Sequence, residues 1–133
     1  MGNPISSQIR TGTIGELLVQ VRLLQFDVQA AAPIKDSGND LIAVRGEAFR
    51  GIQVKTKTRG QFQFGGLPRH YHIVALVDLR GEDDQIYLDH SEVFLLPRAI
   101  VERGLPSDLQ PYKISQKLVD DIFGVRENVK GEV

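Results

Sequence analysis

"SGNDLIAVRGEAFRGIQVKTK", residues 37–57, contains two strand-like stretches joined by a short turn. The first, "LIAVR", is apolar and rich in β-branched residues, whereas the second, "RGIQVKT", alternates apolar and polar side chains. "GEAF" between them carries the glycine expected of a hairpin turn. Residues two apart share one face of a strand, so the second strand presents a polar row of Gln53, Lys55 and Lys57. Such a row faces either water or an anionic partner.

A helix is predicted before this hairpin, over residues 13–25. Its apolar residues recur at helical spacing, which predicts a buried stripe of Ile14, Leu17, Leu18, Val21 and Leu24. Thr13 and Glu16 fit a capping box at the start of the helix, so residues 1–12 are expected to form a loose arm. A short strand, "FDVQAAA", and a turn containing Pro and Gly lead from the helix to residue 40.

The second half of the chain adds further strands and a helix. A Gly-rich loop, in which "QFQF" is compatible with a short strand, precedes "YHIVALVDL", residues 71–79. This apolar stretch is typical of a central strand covered on both faces. "SEVFLLP", residues 91–97, fits a strand or a helix equally, and residues 115–123 have helical spacing. Together these elements predict one α/β domain over residues 1–133, an α+β mixed sheet flanked by helices, with its core in residues 13–79.

Composition excludes several classes of protein. The chain has no Cys, so it forms neither disulfides nor thiolate metal sites. No apolar run approaches the ~20 residues needed to cross a bilayer, and "MGNPISSQIR" lacks the apolar segment of a secretory signal. We therefore expect a soluble cytoplasmic protein with no membrane partner.

Charge is unevenly distributed although its sum is only −1. Residues 45–72 carry six basic side chains against one acidic, and residues 78–92 carry six acidic against one basic. A basic centre of this kind is able to bind phosphate locally while the whole chain stays near neutral. A mixed, solvated surface explains the same distribution.

Four polar positions fall where elements begin or end. Glu16 lies in the predicted helix and Asp40 opens the second strand, while Gln53 and Lys55 share a face of the third. Neighbouring strands lie ~4.8 Å apart, so a carboxylate on one meets an amide and an ammonium group on the next. The oxygens of Glu16, Asp40 and Gln53, with the backbone carbonyl of Val54, form a ligand set suited to Mg²⁺, for which Mn²⁺ substitutes.

Each of these residues also has a simpler explanation. Glu16 completes a capping box with Thr13, Asp40 belongs to a turn after Gly38, and the polar row of the third strand faces water. The functional interpretation rests on the joint order: a helix Glu, then an Asp that opens a strand, then Gln-x-Lys thirteen residues later.

That order resembles the PD-(D/E)XK nuclease superfamily, the restriction-endonuclease-like fold shared with Holliday-junction resolvases. Its core is a helix, a three-strand meander, a helix or loop and a further strand, similar to this chain from about Thr13 to Leu79. In the family, a helix Glu, an Asp opening the second strand and an acidic or Gln residue two before a Lys build the metal site. The resemblance assigns these catalytic roles to Glu16, Asp40, Gln53 and Lys55.

Two positions depart from the family pattern. Asn39 stands where Pro is usual, and Gln53 replaces an acid, which removes one negative charge from the metal site. Gln at that position resembles the branch of homing endonucleases encoded in group I introns, and some resolvase-like members.

The resemblance implies a Mg²⁺-dependent DNA endonuclease that acts as a homodimer or homotetramer, because one small domain has one active site. Downstream of the site, Lys57, Arg59 and Arg69 are expected to contact DNA phosphates, or else only to keep the surface soluble. Three functions remain open: a nuclease of homing, resolvase, repair or defence type; a DNA-binding module of the same fold with weak catalysis; and an α/β interaction protein.

Overall fold

Five strands form one mixed sheet in a computed structural model that describes residues 6–34, 38–82 and 85–124. Strand order across the sheet is β1-β2-β3-β4-β7, and β5 and β6 form a separate small hairpin. In chain order the elements are α1 (Ser7–Leu24), β1 (Gln29–Ala31), β2 (Leu41–Arg45), β3 (Ala48–Lys57), β4 (Ile73–Asp78), β5 (Gly81–Glu82), β6 (Gln85–Ile86), β7 (Glu92–Pro97), α2 (Arg98–Val101) and α3 (Gln116–Phe123).

The first three strands form the predicted meander, and the pairing of the later strands comes from the structure. β1, β2 and β3 pair antiparallel as a meander, β4 returns parallel to β3, and β7 closes the far edge antiparallel to β4. The hairpin between β2 and β3 turns over Gly46 and Glu47, and Gly46 has φ +59°, a conformation in which glycine is favoured. The mixed α+β fold class, with a helix first and a helix last, is confirmed.

The predicted start of α1 is wrong. The helix begins at Ser7, so residues 7–12 are helical rather than a loose arm, and residues 1–5 lie outside the described part. The hydroxyl of Ser6 accepts a hydrogen bond from the Ile9 backbone N–H at 3.1 Å and caps the helix there. Thr13 lies inside the helix, so the capping-box explanation of Glu16 does not apply.

The predicted buried stripe of α1 is also mostly wrong. The buried positions are Gly15, Leu18, Val19 and Leu23. Leu17, Val21 and Leu24 are each more than half exposed. The helix carries apolar side chains on two faces, and the face with Gly15 is buried because that glycine allows a close approach to β3.

Apolar cores lie on both faces of the sheet. α1 and α3 cover one face, where Leu23, Ile52 and Val119 pack together. The other face is covered partly by the loop between β3 and β4, through Phe62, Phe64 and Leu67. Every residue of β4 is buried, as expected of a central strand. The loop itself contains no "QFQF" strand.

The two remaining elements follow local signals. "SEVFLLP" is a strand, β7, and β4 pairs with it along its whole length. α3 begins after Ser115, whose hydroxyl accepts from the Leu118 N–H at 3.1 Å, and it ends at Gly124 with φ +90°. In the described residues, no helix is long and apolar enough to span a membrane.

An ion pair ties the end of β2 to α3. Arg45 Nη1 donates to Asp120 Oδ1 at 2.8 Å, and this bond, followed by one from Gln116, lowers the pKa of the Asp120 carboxyl below its ordinary value. A lowered pKa contributes stability at pH values above 3.8, which is lost as the pH falls through the folded-state pKa.

Asp120→Asn is therefore expected to lower the midpoint of thermal unfolding at pH 7, and to have a smaller effect near pH 3. The Arg45 side chain is buried and would lose its charged partner. Asp121→Asn, which changes an exposed neighbour, is the matched control. An equal loss of stability at both pH values would contradict the ion-pair explanation.

Candidate active site

A close contact between α1 and β3 places the first site residue. A Cβ built on Gly15 would lie 1.9 Å from Thr56 Oγ1, so only a glycine permits this separation of helix and strand. Glu16 follows directly in the helix and lies beside Val54 and Thr56 of β3. The helix position of Glu16 therefore depends on its small neighbour.

Asp40 is held where the ladder between β2 and β3 ends. Its backbone N–H donates to the Ile52 carbonyl at 3.0 Å, and its carboxylate Oδ2 accepts from the Val54 N–H at 2.8 Å. The pairing of β2 with β3 stops at Leu41 and Ile52, so the side chain of Asp40 takes the place of the next ladder bond. Asp40 consequently lies against the Gln53–Lys55 segment of β3.

The carbonyl of Val54 is directed to the same place. In a strand, the N–H and C=O of one residue point to the same neighbouring strand. Because the Val54 N–H points to Asp40, its carbonyl oxygen points to the edge left open where β2 ends. This oxygen is therefore placed to act as a ligand beside the Asp40 carboxylate.

Gln53 is a buried amide, with 6% of its surface exposed. Its Nε2 donates to the carbonyl of Gly38, in the segment that leads into Asp40. The amide nitrogen is thus occupied, and the oxygen is the atom of this side chain suited to hold a cation.

Glu16 lies close enough to Asp40 for the two carboxylates to repel each other. Partial burial and then the negative charge of Asp40 raise the pKa of the Glu16 carboxyl above its ordinary value of 4.5. Within the described residues, the Glu16 carboxylate takes part in no ion pair. Two neighbouring carboxylates without a cation make a site that favours a positive charge.

Lys55, the predicted catalytic lysine, is hydrogen-bonded to a loop and not to Asp40. Lys55 Nζ donates to the Gly65 carbonyl at 2.9 Å, in the loop that covers the face of the sheet opposite α1. No ion pair joins Lys55 to Asp40 in the part of the chain described. Lys55 is half-buried and lies one residue after the backbone N–H that Asp40 binds.

The three predicted phosphate contacts differ in their surroundings. Lys57 lies 3.4 Å from Asp78 Oδ1 and over the Phe62 ring, 5.1 Å from its centroid, so its charge is already partnered. Arg59 is exposed and takes part in no ion pair among the described residues. Arg69 is exposed on the far side of the loop, where its carbonyl accepts from Arg98.

The donor atoms fit a hard cation. Two carboxylates, one amide oxygen and one backbone carbonyl are oxygen ligands of the kind that Mg²⁺ takes, with water completing its shell. In the described residues, no three His, Cys, Asp or Glu side chains come together as a metal-binding group. The ligand set predicted from the sequence, Glu16, Asp40, Gln53 and the Val54 carbonyl, contains only two acidic side chains, so its charge is lower than that of a three-carboxylate site.

The sequence patterns did not predict three glycines that shape the site. Gly15 sets the distance of α1 from β3, Gly38 positions Gln53, and Gly65 holds Lys55. A glycine inside a predicted helix, next to a candidate Glu, was the available signal for Gly15. The other two act through backbone carbonyls, which every residue possesses, and so leave no signal in the sequence.

Glu16→Gln tests the electrostatics of the site. A raised pKa means that Glu16 contributes stability at pH values below 4.5, which is lost as the pH rises through the folded-state pKa. We therefore expect Glu16→Gln to raise the midpoint of thermal unfolding at pH 7 and to leave it unchanged near pH 4. Glu47→Gln, at the exposed turn between β2 and β3, is the control. A lower midpoint at pH 7 would contradict the placement beside Asp40.

Comparison with known proteins supports the fold. No protein-family model matches the chain, and no curated protein matches its sequence. Among solved structures, the chain is similar to "The structure of a bacterial homing endonuclease: I-Ssp6803I", with a TM-score of 0.53 and 14% sequence identity. The match covers 85% of this chain and 88% of the other. At that identity the likeness shows the fold alone.

Proposed function

We propose that this protein is a metal-dependent DNA endonuclease of the PD-(D/E)XK type. The observation that carries the proposal is the bond from the Val54 N–H to the Asp40 carboxylate at 2.8 Å. It holds the Asp40 carboxylate at the backbone between Gln53 and Lys55, which supports the order that the resemblance implies. The fold shared with a bacterial homing endonuclease adds support.

Glu16, Asp40, Gln53 and the Val54 carbonyl would hold Mg²⁺, or Mn²⁺ in its place. When bound, the ion lowers the pKa of a coordinated water and neutralises charge on the phosphate under attack. Two of these side chains are preorganised, because Asp40 accepts a hydrogen bond from a backbone N–H and Gln53 donates one to the Gly38 carbonyl. Hydrolysis forms a bond from the water oxygen to phosphorus and breaks the bond to the leaving sugar oxygen, which takes up a proton.

Lys55 supplies positive charge to the same step. Its ammonium group donates hydrogen bonds to phosphate oxygens on which negative charge develops during attack. To do so it exchanges the Gly65 carbonyl, its partner at 2.9 Å, for the phosphate. A backbone carbonyl is a neutral acceptor, so a phosphate is the stronger partner for an ammonium group.

The test is cleavage of supercoiled, linear and four-way-junction DNA by the purified protein, with Mg²⁺, with Mn²⁺ and with EDTA. Metal-dependent cutting is expected, and the preferred substrate will separate a homing or repair nuclease from a junction resolvase. Binding without cutting would instead support the weakly catalytic DNA-binding module, which the neutral Gln53 favours. A protein that binds no DNA even at low salt, where phosphate contacts are strongest, would instead support the third function, an α/β interaction protein.

We also propose that the enzyme is a homodimer or homotetramer. A groove of about 570 Å³ runs between α1 and the β1–β2 edge of the sheet, and none of the described residues that line it is charged. Leu17, Val21 and Leu24 line its helical side, each more than half exposed. An uncharged apolar face suits a second copy of the chain, and a pair of active sites is what cutting two strands requires.

Val21→Glu is expected to convert the assembly to monomers, because it buries a charge in the proposed interface. Sedimentation equilibrium measures the mass against 14.8 kDa for one chain. Ser107→Glu adds the same charge at an exposed loop position outside the groove and should leave the mass unchanged. A wild-type protein that is monomeric at all concentrations would overturn the proposal.

A further inference from the structure

A second groove begins at the candidate metal site and runs along the first half of α1. Its volume is about 460 Å³, and it lies between that helix and the end of β3 with the segment that follows. Glu16 and Val54, two of the predicted metal ligands, are among its lining residues, so the groove reaches the candidate metal site. From Glu16 to Ser7 the helix rises about 14 Å, at ~1.5 Å per residue.

The lining of this groove is polar on both sides. The helix contributes Ser7, Gln8 and Thr11, and the opposite wall contributes Thr58 and Arg59. Hydroxyl, amide and guanidinium groups are the donors that proteins use to contact the phosphates and sugars of nucleic acids. The groove therefore has the chemistry of a track for a sugar–phosphate backbone.

Charge and shape agree with such a track. Lys57 is partnered by Asp78, so Arg59 provides positive charge that no described acidic side chain neutralises. Gly12 lines the groove, and a Cβ built there would meet no atom of the described residues outside its own helix within 4 Å. The helix surface is thus open at the point where a backbone would pass between the two walls.

We propose that this groove binds the DNA strand next to the scissile phosphate, holding two or more successive phosphates between α1 and Arg59. The proposal rests on the nuclease function and extends it, because it assigns part of the substrate site to the helix that precedes Glu16. Ser7, Gln8 and Thr11 donate to phosphate oxygens from one wall, and Arg59 contributes a bidentate contact from the other.

Binding in EDTA tests the groove without cleavage. A fluorescein-labelled 30-base-pair duplex is titrated with wild-type protein and variants at stepped KCl concentrations, and anisotropy reports the affinity. Arg59→Ala is expected to weaken binding and to reduce the salt slope by about 0.9, the value for one lost phosphate contact. Arg103→Ala removes an exposed arginine outside the groove and should leave the slope unchanged.

Gly12→Gln tests the helical wall separately. The side chain enters open space, so the variant should fold with an unchanged or higher unfolding midpoint, yet it fills the groove and should weaken DNA binding. Wild-type affinity and slope in both Arg59→Ala and Gly12→Gln would overturn the groove. Groove-dependent binding by a wild-type protein that does not cut with Mg²⁺ would instead refute the nuclease chemistry and leave the groove standing.

Discussion

Asp40→Asn is expected to reduce metal-dependent DNA cleavage by at least about a thousandfold. A metal ligand's charge supports several kcal/mol of transition-state stabilisation, and each ~1.4 kcal/mol is tenfold in rate. The substitution keeps an oxygen that can accept from the Val54 N–H, so the local hydrogen bond at 2.8 Å and the fold should survive. Single-turnover cleavage with Mg²⁺ measures the rate.

Asp108→Asn is the matched control for this prediction. Its carboxylate also accepts from a backbone N–H, that of Gln110 at 3.0 Å, but it is exposed and lies outside the site. The Asp108→Asn protein should cut DNA at the wild-type rate.

Lys55→Ala should lose cleavage like Asp40→Asn, because it removes the positive charge beside the phosphate.

A second measurement does not depend on activity. Mg²⁺ binds the folded wild-type protein and should raise its unfolding midpoint with increasing concentration. That rise should be lost in Asp40→Asn and kept in Lys55→Ala, which removes no ligand. If the Asp40→Asn protein is still stabilised by Mg²⁺ and cuts at the wild-type rate, Asp40 is not a metal ligand.

Gly15→Ala is expected to destabilise the protein by about 1–3 kcal/mol, the usual cost of overpacking a well-packed contact. The added Cβ would lie 1.9 Å from Thr56 Oγ1 and 3.0 Å from the Cβ of the same residue. Thr56 is β-branched and stiff about χ1, so the helix must move away instead. Glu16 moves with it, and cleavage should fall together with stability.

Gly12→Ala supplies a control in the same helix. Nothing lies within 4 Å of the position of its Cβ, so this variant should gain about 0.5–1 kcal/mol from the better helix former. Adding Thr56→Ala to Gly15→Ala removes the clashing hydroxyl and should recover most of the lost stability. If Gly15→Ala and Gly12→Ala unfold at the same urea concentration, α1 does not approach β3 as closely as the structure shows.

Local sequence was sufficient for β2, for the central strand β4 and for α3. β2 was predicted at its observed bounds, because "LIAVR" is β-branched and a glycine turn follows it. α3 has its own cap, Ser115, and its own terminating glycine, Gly124. The neighbourhood of Asp40 and β3 was predictable as well, since adjacent strands of a hairpin lie side by side wherever the turn is short.

Only the tertiary structure decided which face of α1 is buried and what holds the site residues. Both helical faces are apolar, and the approach of Gly15 to Thr56 selects one of them. Likewise, Lys55 is held by the carbonyl of Gly65, ten residues away in a loop. A residue's type and spacing determine its local conformation, whereas contacts between distant segments depend on how closely their backbones pack, which no local pattern records.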